Sequence, residues 1–152
     1  MFMAGGGYKM VQAQRSQAKS TIAAILAVWK LIHDPKHRVL IFSAGSKMAS
    51  QISLYIQQII GNWDILSCLR PSLKDRQAVD AYDVHYLLKG VDKSPSVACL
   101  GITANMQGYR GDTVICDDVE SMKNAMTVTQ REQLSHRMKD MPSIYVGETI
   151  PY

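Results

Sequence analysis

A lysine and a serine stand side by side immediately before a long apolar segment, as Lys19 and Ser20. Residues 13–20 follow the pattern G-x-x-x-x-G-K-[ST], with Ala13 and Ala18 at the two glycine positions. In such a loop, backbone N–H groups surround phosphates, and the positive end of the next helix faces them. We therefore expect Lys19 to reach the terminal phosphates of a nucleotide and Ser20 to offer its hydroxyl to Mg²⁺.

The predicted nucleotide-binding set covers the loop and the residues that follow it. It comprises Ala13, Gln14, Arg15, Ser16, Gln17, Ala18, Lys19, Ser20 and Thr21. Glycine is the usual residue at the two alanine positions because such loops often adopt a positive φ and approach the phosphates closely. Alanine at such an angle costs about 1 kcal/mol, which the rest of the loop can offset. The alternative interpretation is a Lys-Ser pair at an ordinary helix N-terminus.

A second group of reactive side chains follows four apolar or β-branched residues, 113–116, at Asp117, Asp118 and Glu120. We expect Asp117 to hold Mg²⁺ through water and a following acid to orient or deprotonate the attacking water. Asp118 and Glu120 are both candidates for this base, and the reach of its side chain favours Glu120. The alternative is a strand that ends in a solvated acidic turn. The two motifs occur in the order that ATP and Mg²⁺ binding requires, so together they favour a Walker A and Walker B pair.

These residues need a sheet that brings distant segments to one edge, and the hydrophobic patterning predicts one. We expect strands at 9–12, 38–43, 96–103, 113–116 and 143–147, and helices at 19–32, 47–60 and 124–140, with a cap at Ser46 and a stop at Gly61. The predicted fold is α/β: a three-layer P-loop NTPase with a mainly parallel central sheet. It is of the ASCE type, with an extra strand between the P-loop and Walker B strands. The tip of that strand carries a sensor for the γ-phosphate, and Thr149 is placed there, although it could also face solvent.

Length and composition fit one globular domain. The chain has 152 residues and a mild net charge of +4, which permits a polyanionic partner without demanding one. We expect residues 1–8 to be a flexible glycine-rich lead-in and residues 9–152 to form the ATPase domain. No apolar run reaches transmembrane length and the start lacks the features of a signal peptide, so no membrane partner is expected.

Several segments together resemble the ATPase domain of phage terminase large subunits, most closely those of short-tailed phages. These segments are residues 15–20, 94–97, 101–103, 108–110, 115–120 and 144–149. The resemblance runs from about Val11 to Thr149. It implies a Mg²⁺-dependent ATPase that drives the packaging of double-stranded viral DNA.

The resemblance also implies roles for particular residues. Arg15, four residues before Lys19, is expected to contact the γ-phosphate, and Arg110 to reach the ATP of a neighbouring subunit, unless it is a solvated loop arginine. Thr149 matches the motif that couples hydrolysis to movement. Two departures are visible: an Asp-Asp pair replaces the common Asp-Glu, and Glu148 is inserted before Thr149.

The implied partners are double-stranded DNA held by its backbone, a portal, a small terminase subunit and further copies in a homo-oligomeric ring. The implied location is the cytoplasm of the infected bacterial host, at the procapsid portal. The nuclease domain of the family is absent from the sequence, so we expect a fragment or a truncated product. Candidate DNA contacts are Lys36, His37, Arg38, Lys47, Lys74, Arg76, Lys89 and Lys93. The alternatives are a helicase-like, nucleic-acid-dependent ATPase and a catalytically silent assembly module.

Overall fold

The computed structural model describes residues 18–119 and 127–146. Its helices are α1 (Lys19–His33), α2 (Ser46–Asn62), α3 (Tyr86–Lys89) and α4 (Val128–Asp140), with 3-10 turns at Asp64–Leu69 and Met141–Ser143. Its strands are β1 (Val39–Ser43), β2 (Ala81–Tyr82), β3 (Val97–Gly101) and β4 (Thr113–Asp117). The strand expected at 9–12 lies outside the described residues.

The four described strands form one sheet in the order β2-β3-β1-β4. The central strand β1 pairs in parallel with β3 and β4, so Ser43 stands in register with Gly101 on one side and with Asp117 on the other. The α/β class is therefore confirmed. The sheet is mixed, however, so the expected mainly parallel sheet is wrong. The difference arises because the two-residue strand β2 pairs with β3 in the antiparallel direction.

Hydrophobic side chains cover both faces of the sheet. On one face, α1 and α2 pack against Val39, Ile41, Val97 and Cys99, which alternate along β1 and β3. On the other face, Leu40 and Phe42 pack with Met106, Met141 and Ile144. The continuous apolar run of β1 is thus explained by burial on both faces, as expected of a strand at the centre of a parallel group.

The helix boundaries follow the sequence prediction at α1 and depart from it at α2. Gly45, in an extended conformation, is the N-cap of α2, and Ser46 is the first helical residue, so the cap expected at Ser46 is wrong. Gly61 does not stop the helix, which continues to Asn62. Gly61 keeps its place inside the helix, and α2 ends one residue later, before its C-cap Trp63, which has an extended backbone. In the described part of the chain, no helix is long and apolar enough to span a bilayer.

The segments around β4 are less regular than expected. Strand β4 is only partly buried along Thr113 to Ile115, and Cys116 is exposed, although all four of these residues are apolar or β-branched. The last expected strand is reduced to a single parallel bridge between Tyr145 and Gly111 within the described residues. Helix α4 begins later than predicted, at Val128, where Thr127 and Gln130 form a reciprocal capping box.

Candidate functional site

The structure brings the Lys-Ser pair and the acidic strand end together across 97 positions of sequence. The hydroxyl of Ser20, in the first turn of α1, donates a short hydrogen bond to Oδ2 of Asp117, the last residue of β4. Asp117 is buried at 6% exposure, whereas Ser20 is partly buried. A hydroxyl and a carboxylate in contact are the oxygen ligands that Mg²⁺ accepts, directly or through water.

Among the described residues, the N-terminus of α1 lacks the capping and the acidic residues that usually stabilise the start of a helix. Its N-cap, Ala18, has the left-handed angles φ 53° and ψ 31°, and no described side chain forms a capping hydrogen bond there. The first turn contains no acidic residue and begins with Lys19, whose charge is unfavourable beside the positive end of the helix dipole. An anion placed before this helix would compensate both charges. The positive φ at Ala18 is the backbone conformation for which glycine is usual at this position.

The end of β4 is also held in a sharp turn. Asp118, directly after Asp117, has φ 49°, and its side chain is exposed. Asp is one of the residues that tolerates the left-handed region. The turn separates the two acids, because Asp117 points into the partly buried contact with Ser20 while Asp118 faces solvent.

A residue that the sequence analysis did not single out lies beside this contact. Ser43 ends β1 in register with Asp117, is fully buried, and its hydroxyl has no hydrogen-bond partner among the described residues. The signal available in the sequence was weak: a polar residue at the end of a wholly apolar strand. Only the sheet order shows that this strand is the neighbour of β4.

The remaining predicted residues divide into two groups. Thr21 is partly buried in the first turn of α1, and Arg110 is exposed on the loop between β3 and β4, one residue before Gly111. The other predicted positions lie outside the described residues: Ala13, Gln14, Arg15, Ser16, Gln17, Glu120 and Thr149. Their roles stay predictions.

Three of the basic residues proposed for DNA contacts already form hydrogen bonds or ion pairs with other residues of the chain. Arg38 donates from Nε and Nη2 to both carboxylate oxygens of Asp112, at 2.9 and 2.8 Å. The ammonium of Lys89 is buried against Asp83 at 2.7 Å. His37 lies 2.8 Å from the hydroxyl of Thr113, and burial lowers the pKa of His37, which disfavours its charged form. The candidates that remain exposed are Lys36, Lys47, Lys74, Arg76 and Lys93.

A separate open groove of about 870 Å³ lies between α4 and the loop after β3. Its lining includes Asn105, Gln107 and Glu132 but none of the residues expected to bind phosphate or Mg²⁺. Nearby, Arg137 of α4 donates hydrogen bonds to the carbonyl oxygens of Ile102 and Ala104. This arginine therefore ties α4 to the loop that follows β3.

Comparison with known proteins gives one informative result. The chain is 39% identical over 125 residues to the protein named "Terminase, large subunit" of Enterobacteria phage T3. The match covers 82% of this chain but only 21% of the phage T3 protein, so the chain spans about a fifth of that relative's length. No family model matches the chain.

Proposed function

The chain is related to phage terminase large subunits over most of its length, and from this premise we propose that it is the ATPase part of a viral DNA-packaging motor. In this proposal it has the ASCE-type P-loop NTPase fold, binds ATP with Mg²⁺, and uses hydrolysis to move double-stranded DNA. The observation that carries the proposal is the contact between Ser20 and Asp117. This contact joins the Lys-Ser pair to the acidic end of β4, and each of these motifs alone has an ordinary structural explanation.

The chemistry follows from the position of each group. Lys19 and the N-terminus of α1 compensate the negative charge of the phosphates, because both present positive charge where α1 begins. The hydroxyl of Ser20 and the carboxylate of Asp117 supply oxygen ligands for Mg²⁺, Asp117 through water. Held by these two residues, Mg²⁺ would supply positive charge against the negative charge of the phosphates. Arg15 and Arg110 add positive charge at the γ-phosphate, Arg110 from a neighbouring subunit, and Thr149 senses the γ-phosphate.

The proposed partners are those of a packaging motor: double-stranded DNA, a portal, a small terminase subunit and further copies of the chain in a ring, in the cytoplasm of the infected host. The DNA is held by its phosphates, so binding is independent of sequence and weakens as salt rises. The exposed residues Lys36, Lys47 and Lys74 are more available for such contacts than Arg38 and Lys89, which carboxylates already engage.

The test is DNA-stimulated ATP hydrolysis by the purified chain and by Lys19→Ala. We expect hydrolysis or nucleotide binding to be lost in Lys19→Ala, because the phosphate charge is then uncompensated. The matched control is Lys139→Ala, which removes an exposed lysine in the last turn of α4 that is not among the candidate DNA contacts and should leave turnover unchanged. Unchanged turnover in Lys19→Ala would remove the loop from the mechanism. Nucleotide binding without turnover in the wild type would favour the silent assembly module.

The base is identified by a pair of substitutions that remove charge with little change in shape. We expect Glu120→Gln to retain ATP binding and to stop hydrolysis, and Asp118→Asn to remain active. Asn tolerates the left-handed conformation that Asp118 adopts, so Asp118→Asn reports on charge rather than on backbone strain. Loss of hydrolysis in Asp118→Asn alone would assign the base to Asp118 instead.

A further inference from the structure

The hydroxyl of Ser43 is an exception within an otherwise apolar strand. The strand β1 is buried throughout, and Ser43 ends it with 0% exposure. Among the described residues, the Oγ atom of Ser43 has no hydrogen-bond partner. Buried polar groups in native proteins are nearly always paired, because an unpaired one lowers stability. The unpaired hydroxyl of Ser43 is therefore expected to gain a hydrogen-bond partner when a ligand binds nearby.

The neighbours of Ser43 indicate which side that partner occupies. Ser43 is in register with Gly101 of β3 and with Asp117 of β4, and parallel strands lie about 4.8 Å apart. Residues in register across parallel strands point to the same face of the sheet. On the β3 side the space is filled, since a Cβ at Gly101 would lie 2.9 Å from the backbone nitrogen of Ser46. The side that carries a polar group is the β4 side, where the carboxylate of Asp117 lies.

The carboxylate of Asp117 can accept a second hydrogen bond there. Its Oδ2 atom accepts the hydroxyl of Ser20. A carboxylate has about four lone-pair sites on two oxygens, so Oδ1 remains available as an acceptor. Rotation about one side-chain bond of Ser43 is enough to change the direction of its hydroxyl.

We propose that Ser43 is a positioning residue for the magnesium site. When Mg²⁺ and nucleotide bind, the hydroxyl of Ser43 donates to Oδ1 of Asp117, while the hydroxyl of Ser20 remains on the Oδ2 side. The two serines then fix the carboxylate from opposite sides, in the orientation that holds the water shell of the metal. Hydrogen-bond partners of this kind around a metal ligand contribute strongly to metal affinity. This inference rests on the proposed function, because it concerns the same Mg²⁺–nucleotide site.

The experiment measures the binding of a fluorescent ATP analogue to the whole chain at increasing Mg²⁺ concentrations, for wild type and Ser43→Ala. We expect Ser43→Ala to need about tenfold more Mg²⁺ for half-maximal binding. Without nucleotide, the Tm of Ser43→Ala should be equal to or above that of wild type, since the lost hydroxyl had no partner to lose. A residue with a purely structural role would lower the Tm and leave the Mg²⁺ requirement unchanged.

The matched control is Ser53→Ala on α2, which removes another fully buried serine hydroxyl. The Oγ atom of Ser53 accepts a hydrogen bond from Gln57, and the residue belongs to α2 rather than to the sheet edge. We expect Ser53→Ala to lower the Tm and to keep the Mg²⁺ requirement of wild type. Ser43→Cys retains a weak donor of similar shape and should give an intermediate Mg²⁺ requirement, which tests the inference even if Ser43→Ala does not fold.

The possible results separate this inference from the function on which it rests. Wild-type binding of Mg²⁺ and nucleotide, combined with an unchanged Mg²⁺ requirement in the Ser43 variants, would overturn the role of Ser43 and leave the proposed function standing. A wild-type chain that binds no nucleotide at any Mg²⁺ concentration would overturn both. A raised Mg²⁺ requirement together with an undiminished Tm would support the positioning role.

Discussion

Ala18, the N-cap of α1, is one of two non-glycine residues with a positive φ in the described part of the chain. Its φ of 53° places Cβ close to the following carbonyl oxygen, which costs about 1–2 kcal/mol for an L-residue. We expect Ala18→Gly to raise the free energy of unfolding by about 0.5–1 kcal/mol, because the greater freedom of glycine in the unfolded chain offsets part of the relief. Urea denaturation followed by circular dichroism measures this change.

The control for Ala18→Gly is the same substitution inside the helix. Ala24 is a fully buried residue of α1, and Ala24→Gly should lower the free energy of unfolding by about 1 kcal/mol or more. Destabilisation by both substitutions would show that the left-handed conformation at Ala18 carries no strain.

At the level of single residues, the sequence was most informative about the two motifs. The order of the Lys-Ser pair and the acidic strand end predicted that they lie close together in space, and Ser20 does contact Asp117. The sequence could not predict that the hydroxyl of Ser43 lacks a hydrogen-bond partner among the described residues. This depends on which strands flank β1 and on how closely the β1–α2 turn packs over Gly101. The pairing of Arg38 was equally unpredictable, since its carboxylate partner Asp112 is separated from it by 74 positions along the chain.

Among the elements, the junction between β3 and α2 leaves no room for an added side-chain atom. At Gly101, an added Cβ would lie 2.9 Å from the nitrogen of Ser46 and 3.2 Å from the carbonyl carbon of Gly45, both backbone atoms. We expect Gly101→Ala to lower the free energy of unfolding by about 1–3 kcal/mol, because the start of α2 must move away from the sheet. Thermal or urea unfolding of the variant measures the loss.

A second glycine provides the matched control for that junction. Gly61 lies inside α2 with nothing within 4 Å of an added Cβ. Gly61→Ala should therefore raise the free energy of unfolding by about 0.5–1 kcal/mol, as alanine is favoured over glycine in helices. Equal effects of the two substitutions would mean that the contact at Gly101 does not constrain α2.

The elements with strong periodicity were predicted well, and those defined by long-range pairing were not. Helix α1 and strand β1 follow from local apolar patterns that their burial satisfies. The antiparallel direction of β2 depends on the path of the preceding segment, which no local pattern encodes. The mixed sheet was missed for that reason. Gly61 was misjudged because glycine permits a helix end without imposing one.

For the molecule as a whole, we expect the free energy of unfolding to depend on pH partly through a pair of residues where β1 and β4 begin. The Arg38 guanidinium hydrogen-bonds the carboxylate of Asp112 and holds its pKa below the usual range. A carboxyl whose pKa is lower in the folded than in the unfolded state stabilises the fold above about pH 4. That contribution is lost as the pH falls through the lower folded pKa.

We therefore expect the free energy of unfolding of Asp112→Asn to fall less between about pH 5 and about pH 2.5 than that of wild type. Urea denaturation at a series of pH values provides the measurement. Asp64→Asn is the control, since Asp64 is fully exposed and its pair with Arg70 at 3.3 Å is a surface contact of little energetic weight. Parallel acid profiles for wild type and Asp112→Asn would contradict the assignment.

The helices that pack on the two faces of the sheet are buried to different extents. Helix α1 has five buried residues and α2 has six, whereas α4, which the structure describes in full, has none. Helix α4 is secured at its start by the Thr127–Gln130 box and along its length by Arg137 and the half-buried Leu134. In deuterium labelling, the amides of α4 should exchange well before those of α1 and α2. The described part of the molecule is therefore expected to open more readily on the side of α4 than on the side of α1 and α2.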